Sequence, residues 1–185
     1  MKKLEGPSSD IYCVSSLQDA LVAAGHDKVV YVFQRGQTTK LRGHQHSIKT
    51  LVCQEKRGDS TPPLIVSGSW DMTIIIWDFA TLKMAHQLMG HENKIRGLDI
   101  SLSPHPCIIS GGDDKQLIVW SSESGTCLLK SINHHSNIVT CVSILEGSGL
   151  VASGSSDKTI ELWSYGNAVS GLDSEKWTLK GHTGR

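Results

Sequence analysis

Apolar residues along this chain fall in short runs bounded by Gly, Ser, Asp, Asn and Pro. Between residues 48 and 88 the runs are IKTLVC, PLIVSGS, TIIIWD and AHQL. They are too short and too β-branched for helices, and each predicts a strand. Ile74, Ile75 and Ile76 do not alternate with polar residues, which fits a strand covered on both faces. Asp71-Met72, Asp114-Lys115 and Asp157-Lys158 sit between the second and third runs of their segments. They predict two-residue turns in which the aspartate side chain bonds nearby backbone.

The runs recur with a period of about 40–45 residues. The clearest copies are IVSGSWDMTIIIWD (65–78), IISGGDDKQLIVWS (108–121) and VASGSSDKTIELWS (151–164), with a weaker VAAGHDKVVYVFQ (22–34). Phe33, Trp77, Trp120 and Trp163 lie 44, 43 and 43 residues apart. Six positions before each stands Asp27, Asp71, Asp114 or Asp157, and four positions before those stand Ala23, Ser67, Ser110 and Ser153. LRGHQHSI, LMGHENKI and SINHHSNI place His44, His91 and His134 ahead of the next apolar run.

Gly-His, then Ser-Gly-x-x-Asp, then Trp-Asp resembles the WD40 repeat of β-propeller proteins, whose blades are four-stranded antiparallel sheets around a channel. The likeness covers nearly the whole chain, although Trp77-Asp78 is the one literal Trp-Asp of the set and Pro7 stands where the first repeat's histidine belongs. It implies an all-β arc of four four-stranded blades. An outer strand is expected at 2–6, with repeats at about 7–43, 44–90, 91–133 and 134–181, and a fifth beginning at 181–185. Five outer strands against four inner sets imply an incomplete ring, its missing blades supplied by absent sequence or by another chain.

The resemblance gathers His44/Ser67/Asp71/Trp77, His91/Ser110/Asp114/Trp120 and His134/Ser153/Asp157/Trp163 into structural tetrads. A Ser-His-Asp set also invites a hydrolase reading. Repetition, the absence of a nucleophile elbow and the accompanying indole N–H, which needs a partner when buried, favour a structural hydrogen-bond chain and no enzyme. Paired histidines at 44/46 and 134/135 have no further ligands to complete a metal site. No metal or cofactor is expected.

Trp70 precedes a tetrad aspartate in the turn itself. The resemblance places that position and two on the opening strand at a partner-binding rim. The rim residues are then Asp10, Tyr12 and His26, followed by Ser47, Lys49 and Trp70, then Lys94, Arg96 and Asp113, then Asn137, Val139 and Ser156. Trp70 with Lys49, Lys94 and Arg96 suits a protein partner, including an acidic or phosphorylated segment. The implied function is a non-catalytic interaction scaffold. The alternative is a substrate-recognition module of a ubiquitin-ligase or signalling complex.

Composition narrows the field without redirecting it. Eighteen basic and eighteen acidic residues balance, so no basic field calls for nucleic acid. No apolar stretch is long enough to span a membrane. Five cysteines without CxxC spacing read as free thiols in an intracellular, reducing setting.

Overall fold

A computed structural model describes residues 6–55, 63–101, 106–131, 135–164 and 176–180. The apolar runs form sixteen strands among the described residues. β1 (Ile11–Leu17), β2 (Ala20–Gly25), β3 (Val29–Gln34) and β4 (Gln37–Arg42) make the first sheet. β5 (Ile48–Gln54), β6 (Leu64–Ser69), β7 (Thr73–Asp78) and β8 (Lys83–Met89) make the second. The third holds β9 (Ile95–Ser101), β10 (Cys107–Gly112), β11 (Leu117–Ser121) and β12 (Cys127–Ser131). The fourth holds β13 (Val139–Leu145), β14 (Leu150–Ser155), β15 (Thr159–Ser164) and β16 (Lys176–Lys180). Every sheet is antiparallel with its strands in chain order, so each strand pairs with its neighbour in the sequence. Of the outer strand expected at 2–6, residues 2–5 lie outside the described residues, as do the tetrad candidate His134 and the repeat opening at 181–185, and Gly6 is not in a strand.

The chain divides into two compact units, Met1–Met89 and Gly90–Arg185. In the first, β1 and β2 lie against β5, and Leu17, Val22, Val30 and Val32 pack on Ile48, Ile65, Ile75 and Trp77. Ile74, Ile75 and Ile76 are all 0% exposed, which accounts for their unbroken apolar run. In the second, β9 and β10 lie against β13, and Cys107, Ile109, Leu117 and Val119 pack on Val139, Val151 and Trp163.

Each hairpin between second and third strands turns on the aspartate found in the sequence. Met72 N–H donates to Ser69 O at 3.3 Å, Lys115 N–H to Gly112 O at 3.1 Å and Lys158 N–H to Ser155 O at 3.1 Å. The residue after each aspartate closes the loop with a left-handed backbone: Lys28, Met72, Lys115 and Lys158 have φ of 69°, 69°, 66° and 71°. This is a three-residue hairpin ending in a left-handed position, longer than the two-residue turn expected, because the residue ahead of each aspartate also lies in the loop.

Glycine precedes the histidine in the Gly-His pair because the indole leaves no room for more. A Cβ on Gly90 would meet Trp120 Cη2 at 2.8 Å, and one on Gly43 would meet Trp77 Cη2 at 3.0 Å.

Candidate partner-binding site

The polar chain inside each sheet fixes the hairpin that carries the exposed residues. In the second sheet Trp77 Nε1–H donates to Ser67 Oγ at 2.9 Å, and Ser67 Oγ lies 2.9 Å from His44 Nε2. His44 Nδ1 lies 2.9 Å from Asp71 Oδ2. A carboxylate only accepts, so Nδ1 carries the proton, and in the neutral ring Nε2 accepts from the serine. In the third sheet Trp120 Nε1–H donates to Ser110 Oγ at 2.8 Å, while His91 spans Ser110 and Asp114 at 2.7 Å on each side. The serines Ser67, Ser110 and Ser153 are each 0% exposed.

The fourth sheet corrects the sequence reading. The ring between Ser153 Oγ (2.8 Å) and Asp157 Oδ2 (3.0 Å) is that of His135, not His134. The cause is register. His44 and His91 each stand four residues before the first strand residue, Ile48 and Ile95, and His135 stands four before Val139. Taking Ile138 as the strand start shifts the histidine and the rim residues Asn137 and Val139 by one, while Ser153 and Asp157 stand as expected. Trp163 is 0% exposed in the same core.

The degenerate first repeat substitutes a phenol for the imidazole. Tyr31 Oη–H donates to Asp27 Oδ2 at 2.7 Å, and the Tyr31 ring stacks on Phe33 at 6.2 Å and 12°. Burial and the bond to Asp27 push the Tyr31 hydroxyl up to about 12.

The tetrad aspartates also hold backbone. Asp71 Oδ2 accepts Gln45 N–H at 2.7 Å, and Oδ1 accepts Thr73 N–H at 2.9 Å and Thr73 Oγ1–H at 2.6 Å. Asp157 repeats the pattern with Ser136 and Thr159. Burial alone would raise the Asp71 carboxyl, but the bonds from His44, Thr73 and Gln45 outweigh it and hold it well below the usual carboxylate range. Asp157 and Asp114 are held low against the same burial, Asp157 by Thr159, Ser136 and His135, Asp114 by His91 and the Glu92 and Gln116 amides.

The opening strand of every sheet carries one extra residue. Ile11 pairs with Gly25 and Cys13 with Ala24; Ile48 with Ser69 and Thr50 with Gly68. Ile95 pairs with Gly112 and Gly97 with Gly111; Val139 with Ser155 and Cys141 with Gly154. Tyr12, Lys49, Arg96 and Thr140 are therefore bulge residues, outside the pairing register and beside the hairpin that follows. The amides of His26, Trp70, Asp113 and Ser156 donate to Asp10, Ser47, Lys94 and Ile138 carbonyls. These bonds tie the two rim segments together in each sheet. In the fourth sheet the pair is Ile138 and Thr140. Val139, expected on the rim, is 0% exposed and packs in the core. The same one-residue displacement explains this, because a strand shifted by one turns its side chains to the other face.

In the first unit the rim residues gather. The Trp70 ring is half-buried and stacks on Tyr12 at 6.5 Å and 26°. His46, which the sequence does not place among the rim residues, lies 5.7 Å from Trp70, and its Nδ1 accepts Ser47 N–H at 2.8 Å. His26 meets Tyr12 edge-on at 6.4 Å, and its Nδ1 lies 3.1 Å from Ser47 Oγ. Lys49 Nζ sits 4.3 Å above the Tyr12 ring. In the second unit Arg96 forks onto Asp113, Nε to Oδ1 and Nη2 to Oδ2, the latter at 3.0 Å. The hydrogen bond to Asp113 raises the Arg96 guanidinium further. Lys94 is half-buried.

Four-stranded antiparallel sheets, each riveted by an aspartate-centred network, define a protein of the β-propeller class. The WD40 family model (WD domain, G-beta repeat) matches residues 35–78, 82–121 and 125–164, and the chain belongs to that family. Each matched segment takes the fourth strand of one sheet and the first three of the next. A 55-residue stretch, 30% of this chain, is 40% identical to Cell division control protein 4 of Saccharomyces cerevisiae. It spans 6% of that protein's length.

Proposed function

We propose that the chain is a non-catalytic protein–protein interaction scaffold whose binding determinant in the first unit is the cluster of Trp70, Tyr12, His46 and Lys49. WD40 repeats typically serve as interaction scaffolds. The observation that carries the residue-level reading is the Trp70 indole. It lies outside the tetrads, in the turn, stacked on a second aromatic ring with a cation over that ring. Tryptophan and tyrosine supply much of the energy at protein interfaces. The Ser-His-Asp sets support no hydrolytic role, because each serine is fully buried and accepts or shares its bond within the sheet.

The test compares the wild-type chain with Trp70→Ala, Trp70→Phe and Lys49→Glu in quantitative affinity capture, with melting curves measured in parallel. Trp70→Ala should lose its partners at least about tenfold with little change in melting temperature, and Trp70→Phe should retain most of them. An unaltered partner set across the three variants would remove this reading.

The second reading, recognition of an acidic or phosphorylated segment as in a ubiquitin-ligase or signalling receptor, draws support from the short similarity to Cell division control protein 4. It asks for free cations, and Arg96 is held by Asp113. Asp113→Asn should then strengthen capture of acidic peptides. No helix among the described residues is long and apolar enough to cross a membrane. With five free cysteines, an intracellular setting is the one we assign.

A further inference from the structure

In the third and fourth sheets a side-chain oxygen two residues after the tetrad histidine holds the rim segment ahead of the opening strand. Asn93 Oδ1 accepts the Lys94 N–H at 2.9 Å, and Asn137 Oδ1 accepts the Ile138 N–H at 2.8 Å. In the second sheet the same place, two residues after His44, belongs to His46, whose Nδ1 accepts the Ser47 N–H at 2.8 Å. The surrounding bonds match. The carbonyls of His46 and Asn137 accept the hydroxyls of Ser69 and Ser155 at 3.1 and 3.2 Å. The carbonyls of Ser47, Lys94 and Ile138 accept the amides of Trp70, Asp113 and Ser156. The acceptors differ in one respect. An amide oxygen accepts at any ordinary pH, whereas a ring nitrogen accepts only while it carries no proton, and imidazole is the side chain that changes charge between about pH 5 and 8.

This acceptor bears directly on Trp70. Ser47 is 1% exposed, its carbonyl holds the Trp70 amide at 3.0 Å, and its hydroxyl lies 3.1 Å from His26 Nδ1. The His46 ring is exposed to solvent and lies 5.7 Å from the Trp70 ring. A proton on Nδ1 sets two donors against each other, so the Ser47 N–H loses its acceptor and the ring has to turn away. The other titratable and charged groups of this rim are Asp10 and Tyr12 at the start of β1, His26 after β2, Lys49 on β5, and His44 with Asp71. Lys49 lies over Tyr12, and Asp71 is engaged by His44, Gln45 and Thr73.

We infer that His46 is a proton-operated latch on the binding rim: with Nδ1 bare it fastens Ser47 and packs beside Trp70, and once protonated it lets both go. The rim is assembled at neutral pH and loosened in mild acid, which makes partner capture pH-dependent. That consequence rests on the reading of Trp70 as a binding determinant; the latch itself does not.

Nuclear magnetic resonance of the isotope-labelled chain, free of any partner, tests the latch from about pH 8 to about pH 5, beside His46→Asn and His46→Ala. In the wild type the Ser47 amide and Trp70 indole signals should move together with those of the His46 ring, and protection of the Ser47 amide from exchange should fall at least about tenfold. His46→Asn installs the acceptor of the other two sheets, so both signals should hold still and protection should persist across the range. His46→Ala should show low protection throughout. Wild-type Ser47 and Trp70 signals that ignore the titration of His46 overturn the inference. So does a His46→Asn chain that responds as the wild type does, which would assign the response to His26 or His44. Affinity capture at the two pH limits reads the consequence: the ratio of neutral to acid capture should be at least about fivefold in the wild type and near one in His46→Asn. A latch that opens in a chain whose capture ignores both pH and Trp70→Ala removes the binding reading alone.

Discussion

Asp71 accepts four donors: the His44 imidazole, the Gln45 and Thr73 amides and the Thr73 hydroxyl. Replacing it with alanine strands all four, most of them part-buried. Asp71→Ala should therefore cost about 1–3 kcal/mol in chemical denaturation. Asp114→Ala, whose repeat has Gln116 in place of the threonine, should cost toward the lower end of that range, about 1–2 kcal/mol. The same carboxylates set an acid limit. An unfolded aspartate titrates near 3.9, and Asp71, Asp114 and Asp157 are held lower in the fold despite burial. Below about pH 4 the unfolded chain therefore binds protons that the folded one does not. Their stabilisation is complete above that value and is lost as the pH falls through the folded range. A denaturation midpoint that drops steeply below about pH 4, and less so in Asp71→Asn, is the expected profile.

At the scale of elements, the bulge separates neighbouring residues into opposite fates. Val139 is 0% exposed in the core and Thr140 is exposed at the bulge. Val139→Asp should cost roughly 3 kcal/mol or more, while Thr140→Asp should leave the melting curve within about 0.5 kcal/mol of the wild type. Equal effects would contradict the pairing. These two residues also mark how far the sequence could be read. The strands, their order and the turn aspartates follow from apolar runs and turn residues, because those signals are local. The bulge leaves no local mark, so SINHHSNI allowed two registers, and the choice between His134 and His135 depended on counting four residues to the strand. The Arg96–Asp113 fork was likewise hidden. It joins positions 17 residues apart that meet only when the hairpin has formed. Tyr31 answering Asp27 in the first repeat has no counterpart in the other repeats from which to infer it.

At the scale of the molecule, the four sheets repeat one plan while their surroundings differ. Equivalent side chains are sealed in one sheet and wet in another, as Ile48 and Ile11 are. The repeat thus specifies what each sheet needs, and position in the array decides whether that need is met. The extra residue in each opening strand has a different consequence. Because it lies outside the ladder, its chemistry is uncoupled from the backbone pairing, and the four copies hold a phenol, an ammonium, a guanidinium and a hydroxyl at Tyr12, Lys49, Arg96 and Thr140. Four such sites act as interchangeable sockets: new specificity can be installed in any of them by a single codon change, without disturbing the hydrogen bonding that keeps the sheets intact.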